Sequence, residues 1–212
     1  MVQNCDTEAK MAMNPQFSEQ IRRIIVSGPI IDQMAAYFLD QLTFFEYSEC
    51  GAPVNIYINS PGGAVDSALA MLDAMTTCSC PIRTIGMGSV ASAAVLLLAA
   101  GDKGNRVISE NCRVMIHQCS SGLGGNTAEL ENELQEVQRL QDIYNNLLSK
   151  YTGQKVAKIK SDMAQNYYMG AQETINYGIA DKILKPRKMG KIIIPGPKPK
   201  QFRLKKKKPD KK

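Results

Sequence analysis

VNIYINSPGGAVDSALAMLDAM, residues 54–75, contains a strand, a turn and a helix in one run. Val54 to Asn59 is dense in β-branched and aromatic side chains and reads as a buried strand. Ser60-Pro61-Gly62-Gly63 turns the chain, and Val65 to Met75 carries apolar side chains at helical spacing. A strand passing straight into a helix predicts an α/β fold of repeated strand-helix units. The neighbouring segments repeat the pattern. Arg23 to Gly28 reads as a strand, and Ile31 to Tyr47 as a helix with Met34, Phe38, Leu42 and Phe45 on one face. A strand at Ile82 to Met87 leads into an apolar helix from about Ser92 to Ala100, and a further strand runs from Arg113 to Gln118. After the glycine-rich Ser121 to Gly125, a long charged helix is predicted over 127–151, with Leu130, Leu134, Val137, Leu140, Ile143 and Leu147 three or four apart. That helix is too long to be buried whole. It either projects toward a partner subunit or lies on the surface with one buried stripe.

Three segments carry the chemistry. Gly63 closes INSPGG, Ser92 stands in GSVASAAVLLLAAG, and His117, the only histidine, ends RVMIHQ. Nucleophilic hydrolysis needs a hydroxyl, a base within hydrogen-bond reach and N–H donors aimed at the developing oxyanion. One segment supplies each. Taken singly they have plainer readings: a small residue before an apolar helix caps it, a histidine at a strand end is structural, and a glycine pair is a turn. The residues alone also leave Ser89 beside Ser92 as the nucleophile. A nucleophile at a helix start does gain from unsatisfied N–H groups and the positive end of the helix dipole.

The bulk properties fit one domain: 212 residues, 44% of them apolar. No apolar run approaches the roughly 18 residues of a membrane span, and no charged stretch followed by an apolar one opens the chain, so a soluble cytoplasmic protein is expected. The six cysteines show no metal-ligand spacing and are expected as free thiols. The net charge of +6 is local in origin. Residues 185 to 212 hold thirteen Lys/Arg against Asp210, a balance of +12, which leaves −6 over residues 1 to 184. With four prolines and the ending RLKKKKPDKK, residues 190–212 read as a basic disordered tail, either a solvated segment or a site for nucleic acid or an acidic partner.

INSPGG, TIGMGSVASAAVLLLAAGDKGNR, RVMIHQ, YTGQKVAKIKSDM and NYGIADKIL, in that order, resemble the proteolytic subunit family of the Clp protease (ClpP) over about residues 20 to 185. Gly63 to Ser92 spans 29 residues (92 − 63) and Ser92 to His117 spans 25 (117 − 92), as in that family. The resemblance implies the family's α/β fold of stacked strand-strand-helix units, shared with crotonases, with a projecting long helix. It implies a homo-oligomer of two stacked heptameric rings, served by a separate ATP-dependent unfoldase that delivers unfolded polypeptides. This chain has no Gly-x-x-x-x-Gly-Lys-Ser/Thr loop of its own. By the same resemblance Ser92 is the nucleophile, His117 the base, and the N–H groups of Gly63 and Ala93 the oxyanion hole. Gly122, Leu123, Gly124 and Gly125 bind extended substrate as an added strand. No metal or organic cofactor is implied.

Certain positions depart from the family pattern. Ala93-Ala94 replaces Met-Gly after the serine, and Cys119 replaces a proline after His-Gln. The triad aspartate falls on Asn166, and an aspartate four residues earlier is matched by Asp162. An amide accepts the histidine N–H but does not stabilise an imidazolium as a carboxylate does. The expectation is therefore a serine endopeptidase with Asn166 as the orienting group and reduced activity. The expected division is a flexible segment at 1–19, a protease domain at 20–189 and the tail at 190–212. Three alternatives stand beside it: a weakly active or inactive ring subunit supporting a paralogue, a phage-type head-maturation protease, and a crotonase-like acyl-CoA enzyme.

Overall fold

The computed structural model describes residues 22–49, 51–120, 122 and 125–185. The expected flexible segment at 1–19, the basic tail at 190–212, and Leu123 and Gly124 lie outside the described residues.

The chain runs β1 (Arg23–Ser27), α1 (Asp32–Ser48), β2 (Val54–Ser60), α2 (Val65–Thr77), β3 (Ile82–Ala91) and α3 (Ala94–Ala99). It continues through β4 (Arg106–Ser109), β5 (Arg113–Ile116), α4 (Thr127–Thr152), α5 (Val156–Asp162), β6 (Tyr167–Met169), α6 (Ala171–Tyr177) and β7 (Lys182–Leu184). This is a mixed α/β protein with a parallel-dominated sheet ordered β1-β2-β3-β4-β7. Parallel strands need crossovers, and α1 and α2 supply the first two.

Strand β3 decides where the site lies. It is ten residues long, four past the predicted end at Met87, and its two halves pair with different neighbours. Thr84–Gly86 lies parallel to β4, while Ser89–Ala91 lies parallel to β5. Between them the register against β2 shifts, from Ile58↔Gly86 to Ser60↔Val90, and Asn59 spans the irregularity by accepting the Ser89 N–H at 3.1 Å. The sheet therefore forks. The outer branch carries β5 and then β6, which pairs antiparallel, and delivers the end of β5 beside the end of β3.

The core is centred on α3, whose six residues are all buried, with Leu96, Leu97 and Leu98 fully inaccessible. Each such leucine contributes about 1.5–3 kcal/mol of burial free energy. Ala35, Phe38, Leu42 and Phe45 pack from α1, and Ala68, Met71, Leu72 and Met75 from α2. A buried ion pair closes the far side. The Arg106 guanidinium makes a two-pronged contact with Asp181, at 2.6 and 3.0 Å, and donates to the carbonyls of Ala99 and Tyr151. It thus ties α3, α4 and the approach to β7 together.

Helix α4 spans 26 residues and starts at a capping box, in which Asn126 accepts from the Glu129 N–H and Glu129 accepts from the Asn126 N–H. Only Tyr144, Asn145 and Leu148 are buried, all in its C-terminal half. The expected apolar stripe is not the buried face. Leu134 is 48% exposed, and Leu130, Val137, Leu140, Ile143 and Leu147 are half-buried. The first half of the helix is mostly exposed, with Leu134 uncovered and Leu130 and Val137 half-buried.

Candidate active site

Ser92 sits where β3 turns into α3, not inside the helix, and its backbone is left-handed at φ 56°. A non-glycine residue there carries about 1–3 kcal/mol of strain that its surroundings must hold. Three hydrogen bonds do so. The Ser92 N–H donates to the Met115 carbonyl at 2.8 Å, and the Ser92 carbonyl accepts from the Val95 N–H and from the Tyr144 hydroxyl, both at 3.0 Å. Gly62 closes the other side. It has φ 90°, and a Cβ there would meet the Ser92 Cβ at 2.6 Å and the Ala91 carbonyl at 2.7 Å.

His117 follows directly on β5, and its Nε2 lies 2.9 Å from Ser92 Oγ. The two residues, 25 apart in sequence, meet because the outer half of β3 pairs with β5. Both are half-buried.

The glycine turn is stitched to the loop after β1. The Ile30 N–H donates to the Gly62 carbonyl at 2.8 Å and the Ala64 N–H to the Ile30 carbonyl at 2.9 Å. A Cβ on Gly63, at φ 154°, would collide with the Ile30 carbonyl, so only glycine fits. The Gly62 N–H is taken by Ser60 Oγ at 3.1 Å. The N–H groups of Gly63 and Ala93 donate to nothing among the described residues. Both residues line one pocket of about 260 Å³ with Ser92, His117, Cys119 and Tyr144.

Asn166, the expected orienting group, stands just before β6. Strands β5 and β6 pair antiparallel with Ile116 opposite Tyr167 at the end of the ladder, and His117 and Asn166 are the next residues beyond it. Asn166 is exposed and makes no hydrogen bond to His117; among the described residues the one side-chain bond of His117 is to Ser92. Asp162 is engaged elsewhere. Its Oδ2 accepts from Lys158 Nζ at 2.7 Å and from the Tyr177 hydroxyl at 2.9 Å.

Of the glycine-rich segment, Gly122 and Gly125 are described, and both are exposed. Gly125 leads into the helix cap at φ 137°, a left-handed backbone that favours glycine.

Tyr144 carried no sequence signal, and Cys119 stood out only as a departure from the family pattern. Burial pushes the Tyr144 hydroxyl well above the ordinary phenol range, and it donates to the Ser92 carbonyl. The half-buried Cys119 lies in the same pocket, but burial raises its thiol too, and the histidine bonds to Ser92 instead. All four described cysteines, Cys78, Cys80, Cys112 and Cys119, are free thiols, with Cys78 and Cys112 each pushed up by burial to about 11.

Fold and site together define an α/β protein with a hydroxyl–imidazole pair, a strained turn and two undonated N–H groups converging on one pocket. The family model for Clp protease matches residues 8–187, most of the chain. The chain belongs to the Clp protease family and is a ClpP-type peptidase. Among the described residues no helix is long and apolar enough to cross a membrane.

Proposed function

We propose that this peptidase is a serine endopeptidase working through Ser92 and His117. The observation that carries the reading is the 2.9 Å contact between His117 Nε2 and Ser92 Oγ at a left-handed serine. His117 Nε2 takes the Ser92 hydroxyl proton as Oγ attacks the scissile carbonyl, and the N–H groups of Gly63 and Ala93 hold the resulting oxyanion. The imidazolium then protonates the departing amine. Water, deprotonated by the same nitrogen, hydrolyses the acyl-enzyme. Asn166 accepts the His117 Nδ1–H once the side chain turns along the β5–β6 ladder, a weaker arrangement than a carboxylate gives.

Substrate enters extended, adding as a strand beside Gly122 to Gly125, so main-chain hydrogen bonds make binding tolerant of sequence. The exposed first half of α4, with Leu134 48% exposed, is the surface on which two heptameric rings stack. A separate ATP-dependent unfoldase feeds the chamber, and the site is cytoplasmic. One observation favours a second reading, a weakly active or inactive ring subunit supporting an active paralogue: among the described residues no carboxylate bonds to His117.

Fluorophosphonate labelling separates these. Ser92→Ala abolishes labelling and peptide cleavage and leaves assembly unchanged; labelling that survives in Ser92→Ala refutes the nucleophile assignment. Light scattering gives a particle of about fourteen subunits, or about seven where the rings part. A stable monomer at micromolar concentration sinks the ring reading.

A further inference from the structure

The two N–H groups assigned to the oxyanion belong to different branches of the sheet. Gly63 follows β2, and its turn is bound to Ile30 after β1. Ala93 follows Ser92, and both hang from the outer half of β3, which pairs with β5 and so carries His117 with it. Pairing of β3 with β5 therefore fixes Ser92 against His117 but leaves Gly63 free of that constraint. The placement of Ser92 relative to the Gly63 N–H is set where the outer half of β3 leaves β2.

That junction is irregular. From the Ile58↔Gly86 pair to the Ser60↔Val90 pair, β2 advances two residues (58 to 60) and β3 advances four (86 to 90). Asn59 alone thus stands against Met87, Gly88 and Ser89. Backbone groups in such an excursion lose their ladder partners, and Asn59 replaces one of them. Its side-chain Oδ1 accepts the Ser89 N–H at 3.1 Å, its one side-chain bond among the described residues. An N–H donor demands the oxygen of the amide, so the orientation of the side chain is fixed. Gly88 lies in the excursion at φ 62°, and a Cβ there would meet Asn59 Oδ1 at 2.7 Å, so the main chain wraps closely on the amide. The Asn59 carbonyl is tied the other way, accepting the Gly28 N–H at 3.1 Å. Asn59 is exposed, and asparagine is disfavoured within strands, so neither core packing nor propensity accounts for it.

We propose that Asn59 is a positioning residue for the oxyanion hole. Through the Ser89 N–H it holds the outer half of β3, and with it Ser92 and Ala93, at the place where Gly63 and Ala93 donate to the same oxygen. The proposal rests on the serine-peptidase reading above. Losing an oxyanion donor outright costs about 10²–10³ in kcat. Releasing Asn59 removes no donor and leaves the Ser60↔Val90 pairing, so the expected loss is smaller, about ten-fold.

The test is cleavage of a fluorogenic peptide by the wild type, Asn59→Leu, Asn59→Asp and Gly88→Ala, with fluorophosphonate labelling of Ser92 measured alongside. Inhibition is read with a peptide boronate, which forms a tetrahedral adduct on a serine, and with the matching peptide acid, which does not. In Asn59→Leu kcat falls about ten-fold at unchanged KM, boronate affinity falls by the same factor, and peptide-acid affinity holds. Asn59→Asp, which keeps an acceptor oxygen for the Ser89 N–H, restores kcat to within about two-fold of the wild type. Gly88→Ala displaces the amide from the opposite side and reproduces the Asn59→Leu pattern, which reads the proposal even where Asn59→Leu folds poorly. A merely structural Asn59 would lower kcat with boronate affinity unchanged, and that result overturns the proposal. So does an unchanged kcat in Asn59→Leu, or an equal loss in Asn59→Asp. Labelled Ser92 in the wild type leaves the peptidase standing in each of these cases, whereas its absence overturns the peptidase reading and the positioning role with it.

Discussion

Replacing Tyr144 by phenylalanine removes one oxygen atom from the core and tests whether the strained serine needs its third restraint. Tyr144 is 3% exposed, and its hydroxyl donates to the Ser92 carbonyl at 3.0 Å. That carbonyl keeps the Val95 N–H after the change, so no acceptor is orphaned and no cavity larger than the lost oxygen opens. The loss is then one neutral hydrogen bond, worth about 0.5–1.5 kcal/mol. Ser92 sits at φ 56°, a conformation from which it relaxes once less firmly held, so the loss falls on the placement of Oγ against His117. At about 1.4 kcal/mol per factor of ten, kcat and the rate of fluorophosphonate labelling fall about two- to ten-fold. KM stays unchanged, because the ring that lines the pocket remains. Steady-state kinetics on a short fluorogenic peptide, with a melting curve on the same sample, reads both quantities. An unchanged kcat beside a lowered melting temperature would refute the reasoning and leave Tyr144 a packing residue. A raised KM at constant kcat would place the hydroxyl on the substrate instead.

At the third position, Asn166→Asp supplies a carboxylate for the His117 Nδ1–H and raises peptidase turnover on the order of ten- to a hundred-fold, less than the roughly 10⁴ that separates Asp from Asn in the chymotrypsin-type enzyme. Asp162→Asn, assayed beside it, leaves turnover unchanged, since that carboxylate is occupied by Lys158 and Tyr177; a collapse there, with no gain in Asn166→Asp, would move the orienting role to Asp162. Asp181→Asn strands the buried Arg106 and costs about 3–5 kcal/mol at neutral pH, read by denaturant titration. Burial alone would raise the Asp181 carboxyl, but hydrogen bonds from Arg106 and Gly104 hold it below its usual range. A carboxyl with a lowered folded pKa stabilises fully above its unfolded value of about 4 and loses that contribution as pH falls through the folded one. The gap between wild type and Asp181→Asn therefore narrows as pH drops below about 4, and a gap independent of pH would refute the pairing.

The sequence by itself determined what depends on local pattern. Apolar periodicity placed β1, α1, β2, α2 and α4 to within two or so residues, because side-chain spacing along a strand or helix is a property of the segment alone. The turn at Gly62-Gly63 was legible for the same reason, and the three segments carrying Gly63, Ser92 and His117 could be singled out from residue type and spacing. Strands β4, β6 and β7, of four, three and three residues, are too short to show a period and draw their stability from neighbours far along the chain. Tertiary structure alone decided that β3 runs on to Ala91 and forks, since its second half is held by β5 and not by its own composition. That pairing brings His117 to Ser92 and forces the serine out of the predicted helix into a left-handed turn. The stripe on α4 shows the limit most plainly: periodicity found the apolar residues, yet Tyr144, Asn145 and Leu148 are the ones buried. Which face of a helix meets the domain depends on the partner surface, and the hydrogen bonds from the Cys119 N–H to Gln141 and from Gln141 to Asn145 exist only where α4 meets the chain after His117.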